Sequence, residues 1–383
     1  CELCYECVHC ENCYGCLFSE NCKNCSEAWF LKNCVGCSNC FGCVDLANKS
    51  HYFFNEKCTE AEYVEKFKKL NLHSHTSLRR FAEQFTEYAE GFSVPYYQGT
   101  NNENVSGNYI FNSKNAQDCF DVNDVEDCMY CDNLTKAKNC FDVSFYGASA
   151  LTELAYQCEA VGHGAFQIFF SKLIWGGCSD IYYSYECFSS QNLFGCAGLK
   201  KAQHCILNKQ YAEDEYDALV RKIVQHMKNT GEWGAFFPAT FSPFGYNETG
   251  AHEYFPLTKT AALGRGLKWD ESDLFAGSAQ APCTVPDSIV DVEDDILEAS
   301  LVCEVSGKCY RIERPELEFY RKLGIPVPAI SPHLRHLERI KRRNNRILYD
   351  AHCSKCTAAF QTTYEPQWHD RVLCKPCYLD TIE

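Results

Sequence analysis

At 383 residues the chain has room for two to three domains and a substantial core, since a domain takes roughly 150 residues. No apolar run reaches the ~18–20 residues of a membrane span, the best stretch, 165–175, being broken by Ser171 and Lys172. Hydrophobic residues make up 46% of the chain, which excludes wholesale disorder. The net charge of -15 argues against a nucleic-acid coat. Its distribution is uneven: residues 301–383 carry 14 Lys+Arg against 10 Asp+Glu, and residues 1–300 carry 22 against 41, so an acidic body bears one mildly basic end. The unusual figure is 29 cysteines in a chain too long to need disulfides in place of a core.

In chain order, the first element is a cysteine repeat. From Cys4 the sequence reads as nine-residue blocks, CYECVHCEN, CYGCLFSEN, CKNCSEAWF, LKNCVGCSN and CFGCVDLAN, so that Cys7, Cys16, Cys25, Cys34 and Cys43 recur every nine residues. The period returns between Cys119 and Cys128, between Cys131 and Cys140, and along Cys178, Cys187, Cys196 and Cys205. It fits neither a heptad nor an amphipathic helix, and the intervening Gly, Asn and Ser favour turns. A coil of only nine residues, at about 3.3 Å each, is too narrow to enclose side chains. The expected fold is therefore mainly β with α: a cysteine-lined parallel β-solenoid of nonapeptide rungs, two per coil, with helical caps and a C-terminal zinc-ribbon domain. Cysteines 18 apart, Cys7 with Cys25 or Cys178 with Cys196, are then expected on adjacent rungs about 4.8 Å apart.

A longer repeat at an offset of 153 places NCFGCVDLANKSHYFFNEKCTEAEY from Asn39 over NLFGCAGLKKAQHCILNKQYAEDEY from Asn192. Each copy leaves its cysteine rungs and enters a helix. The first opens at Thr59 with Glu62 three residues on, a capping box, and the second spans about 212–228 and stops near Gly231. Such helices suit the exposed ends of a solenoid. The expected divisions are cysteine rungs over 1–58, a helical cap and insert with a loop at Asn101–Asn104 over 59–118, a second rung section over 119–211, a cap helix and irregular aromatic layer over 212–282, an acidic linker over 283–300, and a zinc-ribbon domain with a basic helix over 301–383.

The strongest chemical motif is Cys353-x2-Cys356-x17-Cys374-x2-Cys377. Each C-x2-C turn presents two sulfurs, and four ligands satisfy Zn2+ and leave no open position, so the site is expected to be structural. The alternative is two disulfides or isolated thiols. Upstream, Cys303 and Cys309 on a hairpin and His333 and His336 on a helix offer a second candidate zinc tetrahedron, against the plainer reading of surface histidines. Between the two lies SPHLRHLERIKRRNNR, where Pro332 opens a helix. Its Arg335, Arg339, Arg342, Arg343 and Arg346 are candidates for contact with nucleic acid or a protein partner, or else form a basic face docked on the acidic body.

The repeat cysteines read as small buried hydrophobes, as rung-stapling disulfides, or, with Cys1, Cys4, Cys7, Cys10, Cys13 and Cys16 at every third residue, as ligands for zinc or an iron–sulfur cluster. Phosphate loops, nucleophile elbows and metalloprotease motifs are missing from the sequence, and His163 in VGHGAF reads as structural or pocket-lining. A zinc ribbon needs reduced thiols, which favours a cytoplasmic, reducing location. Beginning at Cys1 inside a repeat and without an initiator Met, the chain is expected to lack its natural N-terminus, so a signal peptide is not assessable.

The rungs leading into strand and helix, followed by GEWGAFFPATFSPFGYNETGAHEYFPLT, CEVSGKCYRI, ELEFYRKLGIPVP, RHLERIKRRN and the ribbon with QTTYEP and LCKPCYLDTI, resemble a family of uncharacterised cysteine-repeat, zinc-ribbon proteins of uncultured candidate-phylum bacteria. The resemblance runs from about Asn39 to the end. It implies zinc binding and no known activity. In that family the segment reading SPHLRH here often carries Cys or His at the places held by Ser331 and Leu334. The expectation is a non-enzymatic zinc-binding scaffold or interaction protein, the alternative being a metal-cluster or thiol-redox protein using the repeat cysteines.

Overall fold

The computed structural model describes residues 1–146, 150–271 and 282–382. About 33% strand and 28% helix make the architecture mixed α/β. The chain forms two compact units, each discontinuous in sequence: Cys1–Val94 with Glu271–Asn344 and Tyr378–Glu383, and Pro95–Asp270 with Asn345–Cys377. Residues 301–383 are thus shared between the units and are not one sequential domain.

In the first unit a three-residue pattern builds residues 1–54. Every third residue from Leu3 to Phe54 has a positive φ, a left-handed conformation that Gly and Asn adopt most readily, which accounts for Asn12, Gly15, Asn21, Asn24 and Asn33. The residue before each kink pairs in parallel with the residue twelve further on, as in Glu2 with Tyr14, Tyr14 with Ser26 and Ser26 with Ser38. The residue after each kink is the third of the set, and from Cys13 to Cys43 all of these are buried. Kinked Asn residues stack in the same register: Asn21 donates to Asn33 (3.2 Å) and Asn33 to Asp45 (3.1 Å).

The register corrects the expected one. Residue 19, not Cys25, succeeds Cys7, and the Ser190 N–H donates to the Cys178 sulfur at 3.3 Å, so residues twelve apart are neighbours where eighteen was expected. A left-handed kink at every third residue turns the chain faster than two extended nonapeptides would, and small inward side chains tolerate the tighter path.

One face of this ladder is aromatic. Trp29, Phe30 and Phe41 are buried against Tyr63, Phe81 and Phe85, which lie on the helices Glu60–Lys69 and His75–Glu90. The first helix carries the capping box of Thr59 and Glu62. Gly42 is needed where it stands: φ is +68°, and a Cβ there would meet the Phe54 ring at 3.0 Å. The acidic stretch expected as a linker is packed instead. Ile289, Val292 and Ile296 join the same core, and Asp287 accepts from the Thr76 N–H at 3.0 Å, because its apolar residues recur every three to four positions among the acids.

In the second unit the same construction runs through one thirteen-stranded sheet. Its parallel pairs are offset by eleven to thirteen residues at Glu103 with Lys114, Phe120 with Asp132 and Phe166 with Ser179. It begins at Gly99–Thr100, well before Cys119, so Asn101 and Asn104 lie in an Asn ladder, donating to Asn112 and Asn115, and not in a loop of a helical insert. Inward positions there hold Ile110 and Ala116, which cysteine spacing could not reveal. The helix Glu213–Thr230 ends on Gly231 at φ 76° and packs Tyr216 on Phe194 and Ile206.

The 153-residue repeat builds equivalent ends. Asn55 donates to the Val44 carbonyl (2.8 Å) and accepts from its N–H (2.9 Å); Asn208 does the same to Ala197, both at 2.9 Å. Each amide satisfies the backbone of a rung that no further rung pairs. Replacing Asn208 by Ala removes two hydrogen bonds and is expected to cost about 1–3 kcal/mol, read as a lower urea midpoint at unchanged slope.

Candidate metal centre

The C-terminal cysteines are brought together by a hairpin, a strand and a helix start, all in the second unit as far as Cys377. Strands Tyr349–His352 and Ala359–Thr362 pair antiparallel, and the turn between them is closed by the Cys353 N–H to the Ala358 carbonyl and the Thr357 N–H to the Cys353 carbonyl, both 2.9 Å. Thr357 takes the left-handed conformation, φ 61°. Val372–Leu373 then delivers Cys374 to the residue before the helix Lys375–Ile382, and Cys377 lies in its first turn.

The four sulfurs lie within 4.8 Å of one another, with Cys356 and Cys374 at 3.6 Å. A tetrahedron of 2.3 Å metal–sulfur bonds has edges of about 3.8 Å, so the group could hold a metal ion. Burial alone would raise the Cys353 thiol, but backbone N–H groups of Cys356, Cys374 and Lys355 bring it down to about 6. Hydrogen bonds with Cys374 and Cys356 that keep its proton push Cys377 up to about 12. The hairpin is anchored on the first strands of its unit: Thr362 donates to the Tyr96 carbonyl (2.7 Å), and buried Asn108 donates to Thr363 (2.9 Å).

The second candidate set is not assembled. Among the described residues the C-terminal cysteines are the only group of three or more metal-binding side chains placed this closely. Cys309 lies in a strand opposite Val302, and His333 is exposed on the helix Pro332–Lys341. Yet Cys303 sits in a turn of the same design as Cys353. Its N–H donates to the Lys308 carbonyl and its carbonyl accepts from the Gly307 N–H, both 2.9 Å, and Gly307 has φ 69°, matching Thr357.

The sulfur environments match as well. Burial would raise Cys303, but the Ser306 hydroxyl and the N–H groups of Ser306, Ser331 and Val305 hold it at about 6, the Ser331 N–H at 3.4 Å. Ser306 therefore stands where Cys356 stands, Ser331 where Cys374 stands, and Leu334, at the same step into the following helix, where Cys377 stands. Spacing in sequence misled because it was counted from Cys309; the left-handed Gly307 one position after Ser306 was the available signal.

The arginines are engaged within their own units. Arg339 reaches Glu6 at 2.6 Å, Arg342 approaches Glu20 at 3.7 Å, and Arg335 donates to the Tyr5 hydroxyl (2.8 Å) and to Glu316 (3.2 Å). Arg346 bridges Asp121 (3.0 Å) and Asp132 (2.8 Å), with all three side chains no more than 18% exposed. Arg343 is half-buried. The basic segment thus docks on acidic rungs, the plainer of its two readings, because the negative surplus of the ladders lies where these charges fall. His163 faces Trp175 at a ring separation of 5.9 Å.

No helix among the described residues is long and apolar enough to cross a membrane. Compared with family models, curated proteins and solved structures, the chain matches none. What fold and site define is a cysteine-rich mixed α/β protein with a four-cysteine group that could hold a metal ion.

Replacing Arg346 by Ala leaves Asp121 and Asp132 facing each other without their cation and is expected to cost about 3 kcal/mol, measured by chemical denaturation. Cys303 gives a pH test. Its thiol ionises at about 6 when folded against an ordinary 9.0, so its contribution is complete above pH 9 and is lost as pH falls toward 6. The stability gap between the wild type and Cys303→Ala is expected to widen as pH rises from 6 to 9; a gap constant over that range would mean a neutral thiol.

Proposed function

We propose that the protein is a non-enzymatic zinc-binding scaffold, in which Cys353, Cys356, Cys374 and Cys377 form a structural zinc ribbon and the parallel ladders wind as β-solenoids of four three-residue sides per coil. The single observation that carries the metal reading is the convergence of four thiols from a tight turn and a helix start to within 4.8 Å. Four sulfur donors favour Zn2+ or iron over the oxygen-seeking ions, and a full set of protein ligands leaves no position for a substrate. The twelve-residue register, the left-handed kink at every third residue and the buried third position support the solenoid. Repeated rungs offer an extended surface for a macromolecular partner, a general property of such stacks. The arginines are not offered as that surface, since ion pairs within each unit engage Arg335, Arg339, Arg342 and Arg346.

Anaerobically purified protein is expected to carry one zinc per chain by elemental analysis. The Cys353→Ser and Cys374→Ser double variant should carry none, and a strong chelator should lower the melting midpoint of the wild type only. Replacement by Co2+ should give the intense visible bands of tetrahedral thiolate coordination. Stoichiometric iron in place of zinc, or wild-type zinc in the folded double variant, would refute the reading.

A further inference from the structure

The two ladders fill their interiors with different proportions of sulfur. Inward positions of the second ladder include Ile110, Val122, Leu134, Ile168, Ile181 and Leu193, all at most 1% exposed. Larger apolar side chains there share the interior with cysteines such as Cys119, Cys131 and Cys178, so this kind of interior does not require sulfur at each inward position. The first ladder nevertheless places cysteine at nearly every inward position between Cys4 and Cys43, with Ser19, Ala28 and Leu31 as the exceptions. Packing alone does not ask for that.

Its thiols also pack into one lattice of neighbours. From Cys13 to Cys43 they are buried together, with Cys4, Cys7 and Cys10 packed against them, and the twelve-residue register sets Cys10 beside Cys22. The same register sets Cys22 beside Cys34, and Cys25 between Cys13 and Cys37. The contacts are pairwise: among the described residues only the C-terminal group brings three or more ligands within 4.8 Å of one another. A zinc ion, which needs four donors around one point, does not suit a chain of pairs. A soft monovalent ion, content with two thiolates and selected by them, does.

We propose that the interior thiols of the first ladder bind monovalent soft metal ions of the copper(I) class, each ion bridging sulfurs that are neighbours in the lattice. At each step an S–H bond breaks, a sulfur–copper bond forms and the proton leaves to solvent. No electron moves, because the ion arrives already monovalent. One proton leaves for each ion that enters, so where every thiolate bridges two ions the filled interior stays neutral, and burial exacts no net charge penalty. This site is independent of the zinc ribbon.

The test titrates reduced, zinc-loaded protein anaerobically with copper(I) against a competing copper(I) chelator, followed by desalting and elemental analysis. Several copper ions per chain are expected in the wild type and in Cys353→Ser/Cys374→Ser, with an ultraviolet sulfur-to-copper charge-transfer band. A ladder variant carrying Cys22→Val, Cys25→Ala, Cys34→Val and Cys37→Ala, residue types the second ladder uses inward, should keep its circular dichroism and lose most of the copper. If that variant does not fold, X-ray absorption of the loaded wild type decides: two or three sulfurs per copper support the lattice, whereas nitrogen or oxygen donors exclude it. Copper held equally by a folded ladder variant, or wild-type copper that disappears with the C-terminal cysteines, would overturn the proposal.

Discussion

The backbone constraint on which the structure depends is the left-handed residue at every third position. It divides the chain into triplets with one side chain in a parallel bridge, one at the kink and one inside. Left-handed backbone is unfavourable for most side chains, and a single Leu3 or Glu6 in that region would be strained alone. Here the conformation is held by parallel bonds to the rungs before and after, such as the Tyr14 N–H to the Cys25 carbonyl and the Gly15 N–H to the Glu2 carbonyl, both 3.0 Å. Asn serves best, since its side chain adds a second ladder parallel to the backbone one. The cost is local and the compensation comes from the stack, so a rung has little reason to persist by itself.

The same constraint explains which parts of the fold the sequence discloses. Inward positions fall three apart, so cysteine recurs at any multiple of three. Nine is conspicuous only because Ser19, Ala28 and Leu31 interrupt the shorter period. The true register was written in other residues. Phe18, Phe30 and Phe54 are twelve or twenty-four apart, with Phe18 and Phe30 stacked at 5.0 Å; Asn21, Asn33 and Asp45 repeat the interval, as do Leu17, Trp29, Phe41 and Phe53. Cysteine drew attention to the interior, where size alone matters, whereas register is carried by residues at the kinks and on the outer face. The helix after each array was legible because capping chemistry is local: Thr59 with Glu62, and Gly231 at the far end of the second helix. The start of the second ladder at Gly99 was not, since Ile110 and Ala116 fill the interior as well as cysteine does.

For the four-cysteine group, the two C-x2-C pairs from Cys353 on were sufficient because each turn brings its own two sulfurs together. The basic helix was ambiguous from sequence for a physical reason: Arg339 and Arg342 need Glu6 and Glu20, more than three hundred residues away, and only the folded unit brings the charges together.

The two cysteine turns show what a metal would contribute. Around Cys303 the chain has a core: Leu301, Leu317, Tyr320, Ile325 and Val327 are at most 1% exposed and belong to the large aromatic cluster, with Leu334 packed against it. There a leucine fills the fourth ligand's place, serines fill two others, and the remaining Cys303 sulfur accepts from the Ser331 N–H. Around Cys353 the apolar support is thin, essentially Ala351, Val372 and Leu373, and Cys356 lies exposed. Beside the hydrogen bonds that tie the hairpin to Tyr96 and Asn108, a metal held by four thiolates would add a cross-link where apolar packing is thin. One frame thus appears twice, packed on a hydrophobic core in the copy with a single cysteine and carrying four cysteines in the copy where that core is thin.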